Sequence, residues 1–344
     1  MMKALVYDKA QHFSVKEVPD PEYGEQQVLI KAASCGVCKT DVHIHNGHFI
    51  SRFPLTPGHE FAGVVEKVGS AVTAFQPGER VCADNTVLCG ECYYCRRDQP
   101  LYCENFYSLG VNGPGGFAEY VAVNQDKVFS ISNKLSFDEA SFTEPTACAV
   151  HGMDMIDLRF GDDVLMFGSG PTGIILAQLL KAGGAANLLV AAPTQFKLDL
   201  IEQMGIARTV RVDRSDYSKH EKKIKDMFPR GFDVIIDATG YAPMVEHCLK
   251  YVKHGSKIIV YGVCDEDKNI EVNPYEIFEK EIKIIGSFAQ THCFDRALAY
   301  LENGTVQVRD LITHNYPLVD YEKALDTVMT GTDNIKVIIN PSSV

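Results

Sequence analysis

Four thiols crowd one short stretch of the chain. Cys89, Cys92, Cys95 and Cys103 are separated by two, two and seven residues. Cysteine at such spacing suits a tetrahedral zinc, and four thiolates leave that zinc no open position, so the site would hold a loop in shape rather than perform chemistry. A second cluster is built of glycine: Gly168-Ser169-Gly170-Pro171-Thr172-Gly173 follows an apolar run and opens an amphipathic one. In that strand-to-helix context Gly168 permits a tight turn, Gly170 admits a pyrophosphate to the backbone and Gly173 allows close helix packing. Pro171 and Thr172 then start a helix whose N-terminus faces the phosphates.

The next strand should end, about twenty residues on, in an acid that binds the adenosine ribose hydroxyls of NAD. This chain instead reads Ala191-Ala192-Pro193-Thr194-Gln195-Phe196-Lys197. A small residue at Ala192, with Thr194 and Lys197 nearby, leaves room and charge for the extra phosphate of NADP. NADP is therefore the expected cofactor, with NAD the alternative if Thr194 is only a helix cap and Lys197 only a solvated lysine.

The elements that must carry these clusters fall into two patterns. At 344 residues, two domains are expected. Up to about Lys127 the sequence is turn-rich and strand-like, with short apolar runs at Gln27 to Ala32 and Phe61 to Val68. From Asp162, apolar strands alternate with amphipathic helices: 163–167, 187–192, 207–212, 232–237, 257–261 and 283–287. That alternation predicts an α/β unit with a parallel sheet, over 151–288. Residues 289–344, with helical spacing at Phe294, Ala297, Leu298 and Leu301, a second helix near 321–329 and a strand at 336–339, are expected to return to the first domain, 1–150. A net charge of −12 excludes the basic surface that nucleic acid or anionic membrane would reward. The N-terminus lacks a secretory apolar core, and eleven cysteines, an odd number, fit a reducing compartment, so a cytosolic location is expected. Cys82, Cys148, Cys248, Cys264 and Cys293 read as buried thiols.

Further residues carry a resemblance. Cys38-Lys39-Thr40-Asp41-Val42-His43, then Gly58-His59-Glu60, the four-cysteine lobe, Glu144-Pro145 and the glycine turn follow one another in an order that resembles the zinc-dependent medium-chain dehydrogenases over essentially the whole chain. The resemblance implies a GroES-like β-rich catalytic domain joined to a doubly wound Rossmann domain. It implies a catalytic zinc held by Cys38, His59 and Glu144, besides the structural zinc of the lobe at 88–104, with Cys35 a packed thiol. Such a zinc, with its fourth position open, acidifies an alcohol placed there. Glu60 would stand beside the metal, and Thr40 with His43 would lead the proton to solvent. Family members pair through their sixth Rossmann strand, so a homodimer or homotetramer is implied.

Glu144-Pro145 is similar to the polyol group, whose substrates are sorbitol, xylitol and arabinitol. Ala289-Gln290 stands where the sorbitol enzymes carry an Arg-Tyr pair, so D-arabinitol, interconverted with D-ribulose or D-xylulose, is the expected substrate. Phe49, Phe106 and Gln290 are candidate pocket residues. Asp41-Val42-His43-Ile44-His45-Asn46 is also similar to the threonine dehydrogenases, which leaves threonine or another secondary alcohol as the alternative. From a different class, a non-catalytic dinucleotide sensor would fit if a ligand were lost, and none is.

Overall fold

Strands buried on both faces need apolar residues at consecutive positions, and Phe232-Asp-Val-Ile-Ile-Asp is such a run. In the computed structural model, which describes every residue except 49, 214, 343 and 344, Phe232, Val234, Ile235 and Ile236 are wholly buried. They lie in a six-stranded parallel sheet. Its spatial order is Arg208–Arg211, Asn187–Ala192, Asp163–Phe167, Phe232–Asp237, Val252–Val260 and Lys283–Gly286. Numbered along the chain this is 3-2-1-4-5-6, the doubly wound arrangement, with the reversal of strand order beside Asp163–Phe167.

The chain divides into two compact units, Met1–Ala147 with Gln290–Val344, and Cys148–Ala289. The second unit contains the parallel sheet. The expected strand at 257–261 proves to be the far half of a longer one, Val252–Val260. Its first residues are partly exposed and include Gly255 at φ +78°, where the register to Phe232–Asp237 shifts. Such a bulged, half-solvated start has no apolar period by which to recognise it. One polar knot interrupts this unit's apolar core: His220 and His247, 2% and 4% exposed, approach Nε2 to Nε2 at 3.1 Å, and the Tyr251 hydroxyl is 2.9 Å from His247 Nε2. Phe167, the last residue before the glycine turn, meets His247 at a ring separation of 6.0 Å.

The first unit is mostly β. Its seven-stranded sheet runs Ile312–Pro317, Lys336–Asn340, Gln27–Val37, Glu60–Val68, Arg80–Ala83 and Val128–Ser130, and Tyr120–Asn124 also pairs with Gln27–Val37. Gln27–Val37 is the hub. Val28, Ile30, Cys35 and Val37 point into a core shared with Phe61, Val65, Phe117, Tyr321, Val337 and Ile339. Cys35 is buried there as a packed thiol. Cys82, Cys248 and Cys293 are buried too, but Cys148 and Cys264 are only partly so, Cys264 because it lies in the loop that follows Val252–Val260. No helix among the described residues is long and apolar enough to cross a membrane.

Candidate active site and cofactor site

Cys38 ends the extended Gln27–Val37 run and caps the helix Lys39–His45. Asp41, fully buried, accepts a hydrogen bond from the Cys38 backbone N–H at 2.8 Å, so a helix cap fixes the thiol's position. Thr40 Oγ1 is 3.7 Å from Cys38 Sγ. His43 lies three residues further along the same helix and so shares its face with Thr40. His59 and Glu60 enter from the neighbouring strand Glu60–Val68, after Gly58, whose φ of +97° and approach to Phe117 leave no space for a Cβ.

Ligand atoms of Cys38, His59 and Glu60 lie within 4.8 Å of one another. His59 Nε2 is 3.9 Å from Glu60 Oε1, and His59 Nδ1 is 4.0 Å from Asp41 Oδ1. The side chains of His59, Asp41 and Glu60 are at most 5% exposed. His59 Nδ1 and Asp41 Oδ1 are buried without hydrogen-bond partners among the described residues. Burial alone would push the His59 pKa down, yet the Cys38 sulfur, Asp41 and Glu144 outweigh it and hold the ring at about 10. Burial raises Asp41 to about 6 against the opposing pull of His59 and the Cys38 N–H. Thiolate, imidazole and carboxylate converging where negative charge prevails, with buried polar atoms left unpaired, form a donor set that fits a divalent zinc.

Glu144 stands in the first turn of the helix Thr143–Ile156 and is half-buried. It acts electrostatically on His59 and on Lys336. The carboxylate that converges with Cys38 and His59 is Glu60's. Lys336, 2% exposed, forms an ion pair with Glu60 Oε2. Sequence reasoning flags neither Asp41 nor Lys336. Asp41 has a signal in retrospect, since it stands three residues after a cap; Lys336 has none, being one polar residue at the start of an apolar strand.

Cys89, Cys92, Cys95 and Cys103 come together as well. Sulfur separations are 3.5 Å for Cys89 and Cys103, and 4.0 Å both for Cys89 with Cys95 and for Cys92 with Cys103. A tetrahedron with zinc–sulfur bonds of about 2.3 Å has edges of about 3.8 Å. The Cys92 N–H donates to Cys89 Sγ and the Cys89 N–H to Cys103 Sγ, each at 3.4 Å. Backbone N–H groups of Glu91 and Cys92 hold the Cys89 thiol down at about 6, so it is ready to bind metal as thiolate. These four fit a closed zinc site.

In the second unit, Gly168 follows the strand Asp163–Phe167 at φ +114°, and a Cβ there would meet Ala238 O at 2.7 Å. A Cβ on Gly170 would meet nothing within 4 Å, which is the room a phosphate needs, while one on Gly173 would lie 3.2 Å from Gly168 O. Pro171 and Thr172 open the helix Pro171–Ala182. Ala192 is buried at the end of its strand, and Thr194 is the N-cap of Gln195–Gln203 without a side-chain bond. Lys197 is partly buried, its pKa lowered by that burial, and it has no carboxylate partner among the described residues.

Of the candidate pocket residues, Phe49 lies outside the described residues and Phe106 is half-buried. Gln290 is 1% exposed and donates from Nε2 to Asp84 Oδ1 at 2.7 Å and to Thr86 Oγ1 at 3.3 Å. Its amide is thus a strut within the first unit.

Comparison with known proteins agrees with this geometry. Residues 24–133 match the alcohol dehydrogenase GroES-like domain, and residues 171–303 match the zinc-binding dehydrogenase domain. The D-arabinitol dehydrogenase 1 of Uromyces fabae is 42% identical over 99% of this chain and 97% of its own. A sorbitol dehydrogenase of Halalkalibacterium halodurans is 31% identical over 99% of both. A Sinorhizobium meliloti protein solved with NADP bound superposes with a TM-score of 0.92 at 30% identity, covering 99% of each chain. The chain therefore belongs to the zinc-dependent medium-chain dehydrogenases and is an enzyme of their NAD(P)-dependent alcohol and polyol branch.

Proposed function

We propose that the protein oxidises a secondary alcohol of a linear polyol to the ketose, reversibly, with D-arabinitol as substrate and NADP as hydride acceptor. The observation that carries the reading is the convergence of a partly buried Cys38 with the buried His59 and Glu60. Cys38 and His59 would hold one zinc, with either Glu60 or Glu144 supplying the carboxylate, and the four cysteines of the lobe would hold a second. The catalytic zinc supplies acidity to the substrate hydroxyl. Thr40, beside the Cys38 sulfur, takes up the alcohol proton as it gives up its own hydroxyl proton, and His43, a turn along the same helix face, passes a proton on to solvent.

D-Arabinitol is favoured by a relative at 42% identity. NADP is favoured by the carboxylate-free end of the strand Asn187–Ala192 and by Lys197, which has no carboxylate partner among the described residues. A homodimer is supported by the edge strand Lys283–Gly286, where Ile284 is 41% exposed and the nearby Phe288 46%. A cytosolic enzyme accords with eleven cysteines, an odd number, four of them in a metal-type cluster.

A spectrophotometric assay of D-arabinitol, xylitol, sorbitol and L-threonine, each with NADP and NAD, tests the reading, with metal content measured alongside. D-Arabinitol with NADP should give the highest kcat/KM, and two zinc ions should be found per chain. Threonine as best substrate would replace the polyol reading. One zinc per chain with no alcohol-dependent reduction of either nucleotide would refute it altogether.

A further inference from the structure

Glu60 faces two ways. Its Oε1 lies among the ligand atoms of Cys38 and His59, while Oε2 is paired with Lys336 Nζ. The pair is fully enclosed, with side-chain exposures of 2% and 1%. It occupies a slot that exists because residue 36 has no side chain: a Cβ on Gly36 would fall 2.1 Å from Glu60 Oε2 and 2.7 Å from Lys336 Cε. The strands deliver both groups there, since Gly36 pairs with Glu60 on one side and with Ile338 on the other. Phe142, just before the Glu144 helix, lies 5.8 Å from the ammonium and closes the slot.

We infer that Lys336 is a positioning residue that competes with the catalytic zinc for Glu60, drawing that carboxylate back so that a coordination position stays free for the substrate oxygen. The inference rests on the dehydrogenase reading of the site. Its physical basis is that one carboxylate cannot give its full charge to two cations, and an enclosed ammonium is a strong rival because no water shields it. Remove the ammonium, and Glu60 is left beside the metal with no other counter-charge. It then becomes a permanent ligand.

The test uses the full chain with cobalt in place of zinc, comparing wild type, Lys336→Met, Lys336→Arg, Glu60→Gln and the Glu60→Gln/Lys336→Met double variant. In Lys336→Met the cobalt d–d bands should shift to those of a more highly coordinated ion, metal loss to a chelator should slow at least tenfold, and KM for the polyol should rise. Lys336→Arg keeps the charge and should retain the wild-type spectrum. In the Glu60→Gln background, Lys336→Met should add no spectral change, because an amide carries no charge to release. This arm reports even if the single Lys336→Met variant folds poorly. An unchanged spectrum and chelation rate in Lys336→Met would overturn the inference while leaving the dehydrogenase reading intact. Wild-type protein that takes up no metal beyond the four-cysteine site would overturn both.

Discussion

Acidification should unfasten the nucleotide-binding unit through the His220–His247–Tyr251 knot. The two Nε2 atoms at 3.1 Å can share one proton but cannot each carry their own without setting two like charges against one another in an apolar core. Burial, then His220 and Lys250, hold His247 down at about 4, against the softer opposing pull of Glu221. His220 is lowered as well, chiefly by burial, with Glu221, Asp213 and Asp216 pulling the other way.

An unfolded histidine takes its proton near 6.5, so between about pH 6.5 and 4 the unfolded chain binds more protons and stability falls as pH falls. For His247 alone the loss is about 2 kcal/mol by pH 5 and about 3 kcal/mol by pH 4, a sizeable part of an ordinary domain's stability. The chain has no tryptophan, so urea unfolding is best followed by far-UV circular dichroism at a series of pH values. His247→Gln should be measured beside wild type at equal metal loading, which removes whatever the metal sites contribute. The amide is neutral throughout and can still bond to His220 and Tyr251. Between pH 7.5 and 5, wild type should lose about 2 kcal/mol more than the variant. Parallel pH profiles would show that the pair takes up its proton without penalty and that the reasoning is wrong.

Cys92→Ser should cost one zinc per chain by elemental analysis and lower the Tm, while the activity of the folded fraction persists. Gly168→Ala places a Cβ 2.7 Å from Ala238 O at a φ of +114°, so about 1–3 kcal/mol of stability and most of the nucleotide affinity should go, measured by thermal melts and nucleotide titration. Ala192→Asp restores a carboxylate at the strand end and should move the NADP-to-NAD ratio of kcat/KM at least tenfold toward NAD, about 1.4 kcal/mol. An unmoved ratio would show that phosphate recognition lies elsewhere.

What was legible in the chain was whatever depends on near neighbours. The strands at 163–167, 187–192 and 232–237 announce themselves because a doubly covered sheet demands unbroken apolar runs. Gly168 is visible because its left-handed turn tolerates little else. The four cysteines are visible because a small loop encloses them. Cys38 and His59, placed by resemblance, do meet. Strand 252–260 was seen only in part, since its opening bulge carries no periodicity. The resemblance implies Glu144 as the third ligand, whereas the carboxylate that lies with Cys38 and His59 is Glu60's, a convergence that depends on the crossing of a strand and a helix rather than on spacing. Gln290 shows the same limit. Its partners Asp84 and Thr86 stand some two hundred positions earlier, where no local pattern points to them.

The ion pair between Glu60 and Lys336 also orders events during synthesis. Cys38, His59 and Glu60 emerge early and lie on or at the ends of adjoining strands, but the ammonium arrives only with Lys336–Asn340, 276 positions after Glu60. Until that strand pairs with Gln27–Val37, Glu60 lacks its counter-charge and the sheet an internal neighbour. A nascent chain that meets zinc early therefore meets a more acidic site than the finished protein offers. Metal taken up then would bind with Glu60 fully engaged, and docking of the last strand would be the step that loosens it. Completion of the centre thus waits on a strand pairing that spans some three hundred positions of the chain.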